Sequence, residues 1–342
     1  MPGDDGAGIY LSAPCAVVGE SFQSPAEAAA TGRLDADVAR RCGYLRVATT
    51  VHAPVELAVR AAARTLGSAG AAGVDLTRLL HAWTYHQGHE FWSPAHYIAY
   101  HVGADRAVPL GLQQMCNGGA AAVELAAREL RADPEQACTL VTTADRFCDP
   151  GFDRWGDQGL AYGDGATAVL VGRAPQGRSV RLLASASAAA PSYEGLHGGT
   201  GPFTATPQSA LRPVTVRSTK KQYMERHPGA DLLAVAGESM ARLSATALDR
   251  AGVAPRDPRL VLVAPPRFAG PALESYRPVL EKATGAPLAQ FGADTGHLGA
   301  GDAIANLAEL LASDRISTGQ VAVLVSAGGG LSWTVLVVER VT

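Results

Sequence analysis

The stretch at residues 110–133 reads LGLQQMCNGGAAAVELAARELRAD and places one cysteine, Cys116, directly before a run of small residues. From Asn117 onward, glycine and alanine are mixed with apolar side chains at helical spacing, among them Val123 and Leu130. A helix with so little bulk on any face is typical of a position that is buried all round. The sequence therefore predicts a central helix that presents Cys116 at its N-terminal end.

A second segment repeats this layout in the C-terminal half. Residues 296–314 read GHLGAGDAIANLAELLASD and predict a small-residue helix after a Gly-containing turn, with His297 directly before the small residues. Both segments therefore have a reactive side chain, then small residues, then a helix. The repetition indicates an internal duplication, and the small residues would let the two helices pack side by side.

Elements of α/β type alternate along the chain. A helix is predicted over residues 54–66, and buried strands are predicted within the apolar runs at 138–145, 161–172, 259–266 and 321–340. After Arg173 the run APQG interrupts the pattern, and the alternation then starts again. We therefore predict an N-terminal half over residues 1–174 and a C-terminal half over residues 175–342.

Composition limits the function classes. Of 342 residues, 47% are hydrophobic and 18% are charged, which is typical of a globular protein with a large core. The net charge of −3, without a block of Lys and Arg, argues against a nucleic-acid partner. The sequence has no run of about 18 apolar residues, so no membrane span is predicted. The acidic N-terminal residues do not resemble a secretory signal. The five cysteines are an odd number without a CxxC pair, so we expect free thiols and a reducing, cytoplasmic location.

Three strings, in order, resemble the ketoacyl synthase III proteins of the thiolase superfamily. They are the string at 110–133, YGDGATAVL at 162–170 and SAGGGLSW at 326–333, and the loop CDPGFDRWGDQG at 148–159 also has the family's order and spacing. The resemblance covers nearly the whole chain. It implies an α/β protein with the thiolase fold, in which two duplicated βαβαβαββ-type halves form a five-layered αβαβα core. It also implies a homodimer that uses acyl-CoA or an acyl-carrier protein as substrate and needs no cofactor.

The resemblance implies that Cys116 carries the acyl group as a thioester. A thiol at a helix N-terminus faces unpaired backbone N–H groups and the positive end of the helix dipole, which stabilise a thiolate. The alternative is a small buried thiol, the usual state of cysteine, and this interpretation is kept for the other four. The resemblance also implies an oxyanion hole formed by the N–H groups of Cys116 and Gly329, since glycine lets the backbone approach a bound carbonyl. The alternative for the triple glycine is a plain tight turn.

Two positions depart from the family pattern. Decarboxylating members have a histidine in a motif of the type PHQAN and an asparagine in a motif of the type GNTSAAS, which together stabilise an enolate. Here Pro265 replaces that histidine and His297 replaces that asparagine, with Asp302 five residues further on. We therefore predict a set of Cys116, His297 and Asp302, in which His297 is the base and Asp302 orients it. The alternatives are a capped or core histidine and a solvated or helix-capping carboxylate.

This pattern is similar to ketosynthase-like acyltransferases of polyketide pathways. We expect an O-acyltransferase that moves an acyl group, malonyl in the first instance, from a CoA or carrier-protein thioester through Cys116 to a hydroxyl. The expected acceptor is a sugar of a glycosylated polyketide, and no decarboxylation is expected. Two alternatives stay open: a ketoacyl synthase III-type condensing enzyme and a catalytically idle scaffold.

Three further residues are predicted to bind substrate. Arg41 and Arg154 fall where the family has arginines at the coenzyme A entrance, and His197, in EGLHGG, is a candidate contact for the acceptor. The alternatives are solvated arginines and a loop histidine. His86 and His89 resemble a metal-binding pair, but a third ligand is missing, so no metal is expected.

Overall fold

The computed structural model describes residues 8–157, 159–198, 203 and 213–342. The strands are β1 (Tyr10–Val18), β2 (Ser21–Gln23), β3 (Val47–Thr49), β4 (Arg78–Ala82), β5 (Val108–Leu112), β6 (Cys138–Asp145), β7 (Gly165–Gly172), β8 (Ser179–Ala189), β9 (Leu260–Ala264), β10 (Val321–Gly328) and β11 (Ser332–Arg340). The helices are α1 (Pro25–Ala30), α2 (Ala36–Arg41), α3 (Pro54–Ala69), α4 (Pro94–His101), α5 (Gly118–Ala132), α6 (Gly195–Gly198), α7 (Val216–Arg226), α8 (Leu232–Arg250), α9 (Gly270–Thr284) and α10 (Asp302–Ala312).

Nine of the strands form one sheet, in the order β5-β4-β6-β7-β1-β8-β11-β10-β9. Its two parts meet at β1 and β8, which pair only through residues 10–12 and 179–181. In the N-terminal part, β1, β7 and β6 pair antiparallel, and β4 is parallel to β6. In the C-terminal part, β8, β11 and β10 pair antiparallel, and β9 is parallel to β10. The sheet therefore has the duplicated form expected from the sequence. The boundary between residues 174 and 175 stays a prediction, and these residues lie between β7 and β8.

Helices cover both faces of each part of the sheet. In β6, Leu140 belongs to an outer cluster with α3 and α4, whereas its neighbour Val141 belongs to a central cluster, because successive side chains of a strand point to opposite faces. The central cluster joins α5 and α10 to strand residues of both parts, such as Val141 and Leu324. On the far side, α8 and α9 pack around Trp333. The order helix, sheet, helix, sheet, helix confirms the predicted five-layered αβαβα core.

The central helix α5 is buried over most of its length, but not all round as the sequence predicts. Arg128 is exposed, because its guanidinium binds the Glu124 carboxylate at 2.9 Å from the solvent side. The N-terminal end of α5 has no spare space. A Cβ on Gly119 would lie 2.3 Å from the carbonyl oxygen of Ala300, which precedes α10. The starts of the two central helices therefore approach so closely that glycine is required.

The second central helix begins later than predicted. The pattern predicts a helix over 296–314, whereas α10 begins at Asp302, after a 3₁₀ turn at Gly299–Gly301. Gly299 has a φ of +58°, a conformation that favours glycine and does not continue a helix. His297 therefore lies on an extended segment ahead of the helix.

Other predicted elements agree with the structure. β6 covers the predicted residues 138–145, and α3 extends the helix predicted over 54–66 to Ala69. All five cysteines are free. In the part of the chain that the structure describes, no helix is long and apolar enough to cross a membrane.

Substitution of Gly119 by alanine tests the close approach of the central helices. We expect G119A to lower the free energy of unfolding by about 1–3 kcal/mol, because an added methyl group in a close-packed core forces the backbone to shift. The matched variant is G67A in α3, where the space around Gly67 is open. G67A should raise the free energy of unfolding by about 0.5–1 kcal/mol, because alanine is the better helix former. Urea denaturation measures both, and wild-type stability of G119A would contradict the close approach.

Candidate active site

Cys116 lies in a 3₁₀ turn, Met115–Asn117, that leads directly into α5. Met115 has a φ of +50°, a left-handed conformation that residues with a side chain rarely adopt and that is concentrated at functional sites. The thiol of Cys116 is free and partly exposed, and the hydroxyl of Thr84 lies 4.0 Å from its Sγ. The turn thus presents the thiol at a helix start, where backbone N–H groups favour a negative charge.

His297 reaches the same place from the C-terminal half. Its N–H donates to the carbonyl of Ala161 at 2.9 Å, and its carbonyl accepts from the N–H of Gly163 at 2.9 Å, which fixes the backbone. Nδ1 of the buried ring lies 2.6 Å from Oδ2 of Asp302. A carboxylate only accepts, so Nδ1 carries the proton. Nε2 is then the ring nitrogen that is left for the cavity, which Cys116 also lines.

Asp302 is fixed through both carboxylate oxygens. Oδ1 accepts from the N–H of Leu298 at 2.8 Å, and Oδ2 accepts from the N–H of Arg267 at 2.7 Å as well as from His297. The side chain is buried at the start of α10. The helix-capping alternative for Asp302 does not hold, because its carboxylate binds N–H groups outside α10. The bond to Nδ1 supports the predicted role of Asp302 in orienting the His297 ring.

The buried pair shifts both pKa values. Burial alone would lower the pKa of His297, but attraction to Asp302 and Cys116 outweighs it and holds that pKa well above its ordinary value. Burial likewise opposes ionisation of Asp302, and His297 outweighs it, so the pKa of Asp302 is lowered. The contribution of His297 to folding stability is present below pH about 6.5 and that of Asp302 above pH about 4, so the pair stabilises the fold most between these limits.

Cys116 and His297 line one cavity of about 940 Å³. Its walls are mostly apolar and come largely from the outer helices and β11, with residues such as Met224, Leu232, Met240, Phe268, Tyr276 and Trp333. Two of its charged residues are Arg217 and Lys220, both from α7. A concave, largely apolar cavity with a few polar groups is typical of a small-molecule site.

The glycine run at residues 328–330 packs against the turn that presents Cys116. A Cβ on Gly328 would lie 2.6 Å from the backbone nitrogen of Asn117 and 3.0 Å from the carbonyl oxygen of Gln114, so glycine is required there. Gly329 follows and lines the cavity. The structure therefore places Gly329 beside the nucleophile turn, while the oxyanion hole formed by the N–H groups of Cys116 and Gly329 stays a prediction.

His197, on α6, lies in the wall of the cavity beside this glycine run. A Cβ on Gly329 would lie 3.3 Å from Nδ1 of His197, and this nitrogen has no hydrogen-bond partner among the described residues. Burial lowers the pKa of His197 to about 4, and Lys220 adds to the effect, so the ring is neutral at pH 7. A neutral imidazole offers one donor and one acceptor. Contact with the acceptor stays a prediction.

The two arginines predicted to bind substrate do not line this cavity. The buried guanidinium of Arg154 donates to Oδ2 of Asp164 at 3.0 Å and to the carbonyls of Ala48 at 3.2 Å and Tyr162 at 3.0 Å. These bonds hold the loop after β6 against the sheet and leave little of the guanidinium for a ligand, which argues against the predicted role. Arg41 is exposed at the end of α2, where Nε donates to the carbonyl of Asp37 at 3.1 Å. Its substrate role stays a prediction.

Sequence reasoning missed a polar chain that leads from His297 to α7. The ring of Tyr162 lies edge-on to that of His297, with 5.3 Å between centroids. The Tyr162 hydroxyl donates to Oδ2 of Asp157 at 3.1 Å, and Lys220 binds the same oxygen at 2.8 Å. Tyr162 and Asp157 lie in sequence strings that carry the family resemblance, and this resemblance is the one feature of the sequence that could have indicated them.

No group of His, Cys, Asp and Glu that could hold a metal ion occurs within the described ranges. His86 and His89 are both exposed.

The chain resembles known proteins in the sequence of its C-terminal part and in its fold. Residues 248–340 match the family model of the 3-oxoacyl-[acyl-carrier-protein] synthase III C terminal. The chain is also similar to the solved structure of ChlB3, described as an acyltransferase, with a TM-score of 0.88 and 29% identity over 98% of each chain. The chain is therefore similar to ketoacyl synthase III-like enzymes of the thiolase superfamily, in the sequence of its C-terminal part and in its whole fold.

Two further solved structures share the fold of this chain. One is 3-oxoacyl-[acyl-carrier-protein] synthase III from Aquifex aeolicus, with a TM-score of 0.76 and 20% identity over 97% of this chain and 100% of that chain. The other is AbyA1, a tetronic acid condensing enzyme, with a TM-score of 0.75 and 21% identity over 97% and 99%. No curated protein sequence matches the chain.

Substitution of Asp302 by asparagine tests the electrostatics of the pair. We expect the pKa of His297 to fall in D302N, because burial then acts with less opposing attraction. The matched control is E309Q: Glu309 binds the far end of Arg267 at 2.8 Å, so its replacement should leave the titration of His297 unchanged. NMR titration of the histidine ring protons measures all three proteins. A His297 titration that is the same in D302N and wild type would contradict the account.

Proposed function

We propose that this enzyme is an O-acyltransferase that moves an acyl group, malonyl in the first instance, from a CoA or carrier-protein thioester through Cys116 to a hydroxyl. One observation carries the proposal. The His297–Asp302 pair, joined at 2.6 Å, shares a cavity with Cys116, whereas Pro265 stands where decarboxylating relatives have histidine. The site therefore offers a nucleophile and a base, but not the usual donors for an enolate.

In the first half-reaction the thiolate of Cys116 attacks the thioester carbonyl. A new C–S bond forms, the donor's C–S bond breaks, and the departing thiolate takes a proton from His297. In the second half-reaction Nε2 of His297 removes the proton of an acceptor hydroxyl, whose oxygen attacks the acyl carbon and expels Cys116 as thiolate. His297 is again protonated, so the cycle closes. The N–H groups of Cys116 and Gly329 would stabilise both tetrahedral intermediates.

The surroundings of Pro265 support transfer without loss of carbon dioxide. Proline has no backbone N–H and no polar side chain, and its carbonyl oxygen accepts from Nδ2 of Asn306 at 2.8 Å. This position therefore has no hydrogen-bond donor to offer an enolate. The malonyl carboxylate would be retained in the ester product.

The acceptor is inferred from the cavity wall. Its volume of about 940 Å³ lies at the upper end of the usual range for small-molecule sites. Apolar and aromatic residues such as Met240, Tyr276 and Trp333 suit the rings of a polyketide, and His197 is the candidate partner for a sugar hydroxyl. The likeness to the acyltransferase ChlB3 supports the same class of reaction.

Incubation with malonyl-CoA followed by intact-mass spectrometry tests this function. We expect wild type to gain the mass of one malonyl group, because the thioester at Cys116 persists until an acceptor arrives. C116S should gain none. C148S is the matched control, since Cys148 is another partly exposed free thiol, and it should be modified like wild type. H297A that has been acylated should keep its acyl group when acceptor alcohols are added.

The alternatives give different masses. An adduct that has lost carbon dioxide would contradict acyl transfer and favour the condensing enzyme. No adduct on wild type with either malonyl-CoA or a malonyl-carrier protein would favour the idle scaffold.

We further propose that the enzyme is a homodimer that pairs through β5. β5 is the first strand of the sheet, and no strand in the described part of the chain pairs with its outer edge. Val108 and Leu110 on this strand are 53% and 40% exposed, and Phe91 and Tyr100 also expose most of their side chains. An exposed edge strand with apolar neighbours is a template for pairing with another chain, and a second copy would cover it.

A lysine on the edge strand tests the dimer. We expect a dimer for wild type and a monomer for L110K, because a buried charge at an interface is strongly unfavourable. L45K is the control, since Leu45 is 67% exposed outside this strand, and it should stay dimeric. Size-exclusion chromatography with light scattering measures the mass of each protein. A monomeric wild type, or a dimeric L110K, would contradict this interface.

A further inference from the structure

Asp145, the last residue of β6, binds two distant segments with one carboxylate. It is 0% exposed. Oδ1 accepts from the backbone N–H groups of Thr84 at 2.7 Å and Tyr85 at 2.9 Å. Oδ2 accepts from the N–H of Ala300 at 3.0 Å. The first two groups belong to the N-terminal half and the third to the C-terminal half.

Each segment that Asp145 binds carries part of the active site. Thr84 stands beside the nucleophile, with its hydroxyl 4.0 Å from Sγ of Cys116. Ala300 lies in the turn between His297 and Asp302. The turn packs directly on the carboxylate, because a Cβ on Gly299 would lie only 2.3 Å from Oδ2 of Asp145. A single side chain thus touches both segments.

Backbone N–H groups hold this carboxylate without help from a cation. Burial raises the pKa of Asp145 to about 6, and the bonds from Ala300, Tyr85 and Thr84 oppose the shift. No Lys, Arg or His within the described ranges forms an ion pair with it. A buried carboxylate without a cation is costly unless its hydrogen bonds are complete, so the three backbone bonds are what hold this side chain in place.

We propose that Asp145 is a positioning residue, which sets the distance between Cys116 and His297 by holding the segment at 84–85 and the turn at 299–301 on one carboxylate. The inference rests on the roles proposed above for Cys116 and His297. Asparagine at this position keeps the shape but replaces one acceptor oxygen by an amide N–H₂, which faces backbone N–H groups. The segment and the turn would then separate.

The test uses alkylation of Cys116 by iodoacetamide, which needs no acyl donor. The proteins are wild type, D145N and the control T139V, and the modified cysteines are identified by peptide mass spectrometry. Thr139 is a buried residue of the same strand whose hydroxyl has no partner among the described residues. We expect alkylation of Cys116 to be up to about 10²-fold slower in D145N, because small displacements of a paired nucleophile have effects of this size. T139V should match wild type.

The other cysteines separate positioning from a structural role. If Asp145 only stabilises the fold, D145N should expose the buried Cys42 and Cys138 to alkylation and leave the rate at Cys116 unreduced, and this result would overturn the inference. A slower Cys116 with Cys42 and Cys138 still protected supports it. Failure of the proposed function is distinct: Cys116 of wild type would then react no faster than Cys148.

A measurement on wild type decides the matter if D145N does not fold. Hydrogen–deuterium exchange at Thr84, Tyr85 and Ala300 should be slow at all three amides, because each donates to the buried carboxylate. Exchange at any of them as fast as at an exposed amide would overturn the inference.

Discussion

The starts of the two central helices touch, and the active site depends on that contact. Gly119 at the start of α5 leaves no room for a side chain beside the carbonyl of Ala300. Strand β6 of the N-terminal half ends at Asp145, whose carboxylate binds the N–H of Ala300 just before α10. Strand β10 of the C-terminal half has the same length and ends at Gly328, which packs on the turn that carries Cys116. Neither half holds a complete site, because the thiol comes from one and the imidazole from the other. Packing of the two halves against each other therefore brings the thiol and the imidazole into one site.

A buried ion pair is costly unless its hydrogen bonds are complete, and the His297–Asp302 pair meets this condition. Asp302 takes N–H groups from Leu298 and Arg267 in addition to the imidazole. These bonds fix the carboxylate, so Nδ1 of His297 stays protonated and Nε2 is left for the cavity that Cys116 also lines. The order is that of a nucleophile, a base and an orienting acid, which many unrelated enzymes share. The proposal of transfer without decarboxylation depends in addition on Pro265, which offers no hydrogen-bond donor.

Much of this arrangement could be predicted from the sequence, because short local strings specify it. Helix and strand periodicity, with the glycine-rich strings, indicated the duplicated core, and spacing brought Asp302 to His297. Contacts between distant residues could not be predicted outside the set of Cys116, His297 and Asp302. Arg154 is a family-like arginine by position, yet its partner Asp164 and the carbonyl of Ala48 make it part of the scaffold. The start of α10 was misplaced because small residues fit both a helix and the tight turn at Gly299–Gly301.

The cavity wall belongs to a different layer from the catalytic groups. Cys116 and His297 stand at the starts of the central helices, whereas Leu232 and Met240 are side chains of α8, a helix of the outer layer. Close packing restricts change in the centre, where one methyl group already has no space. The outer helices face solvent on one side and tolerate substitution more readily. Substitutions in the outer helices can therefore change which acceptors fit the cavity, while the residues at the central helices, and with them the reaction, stay the same.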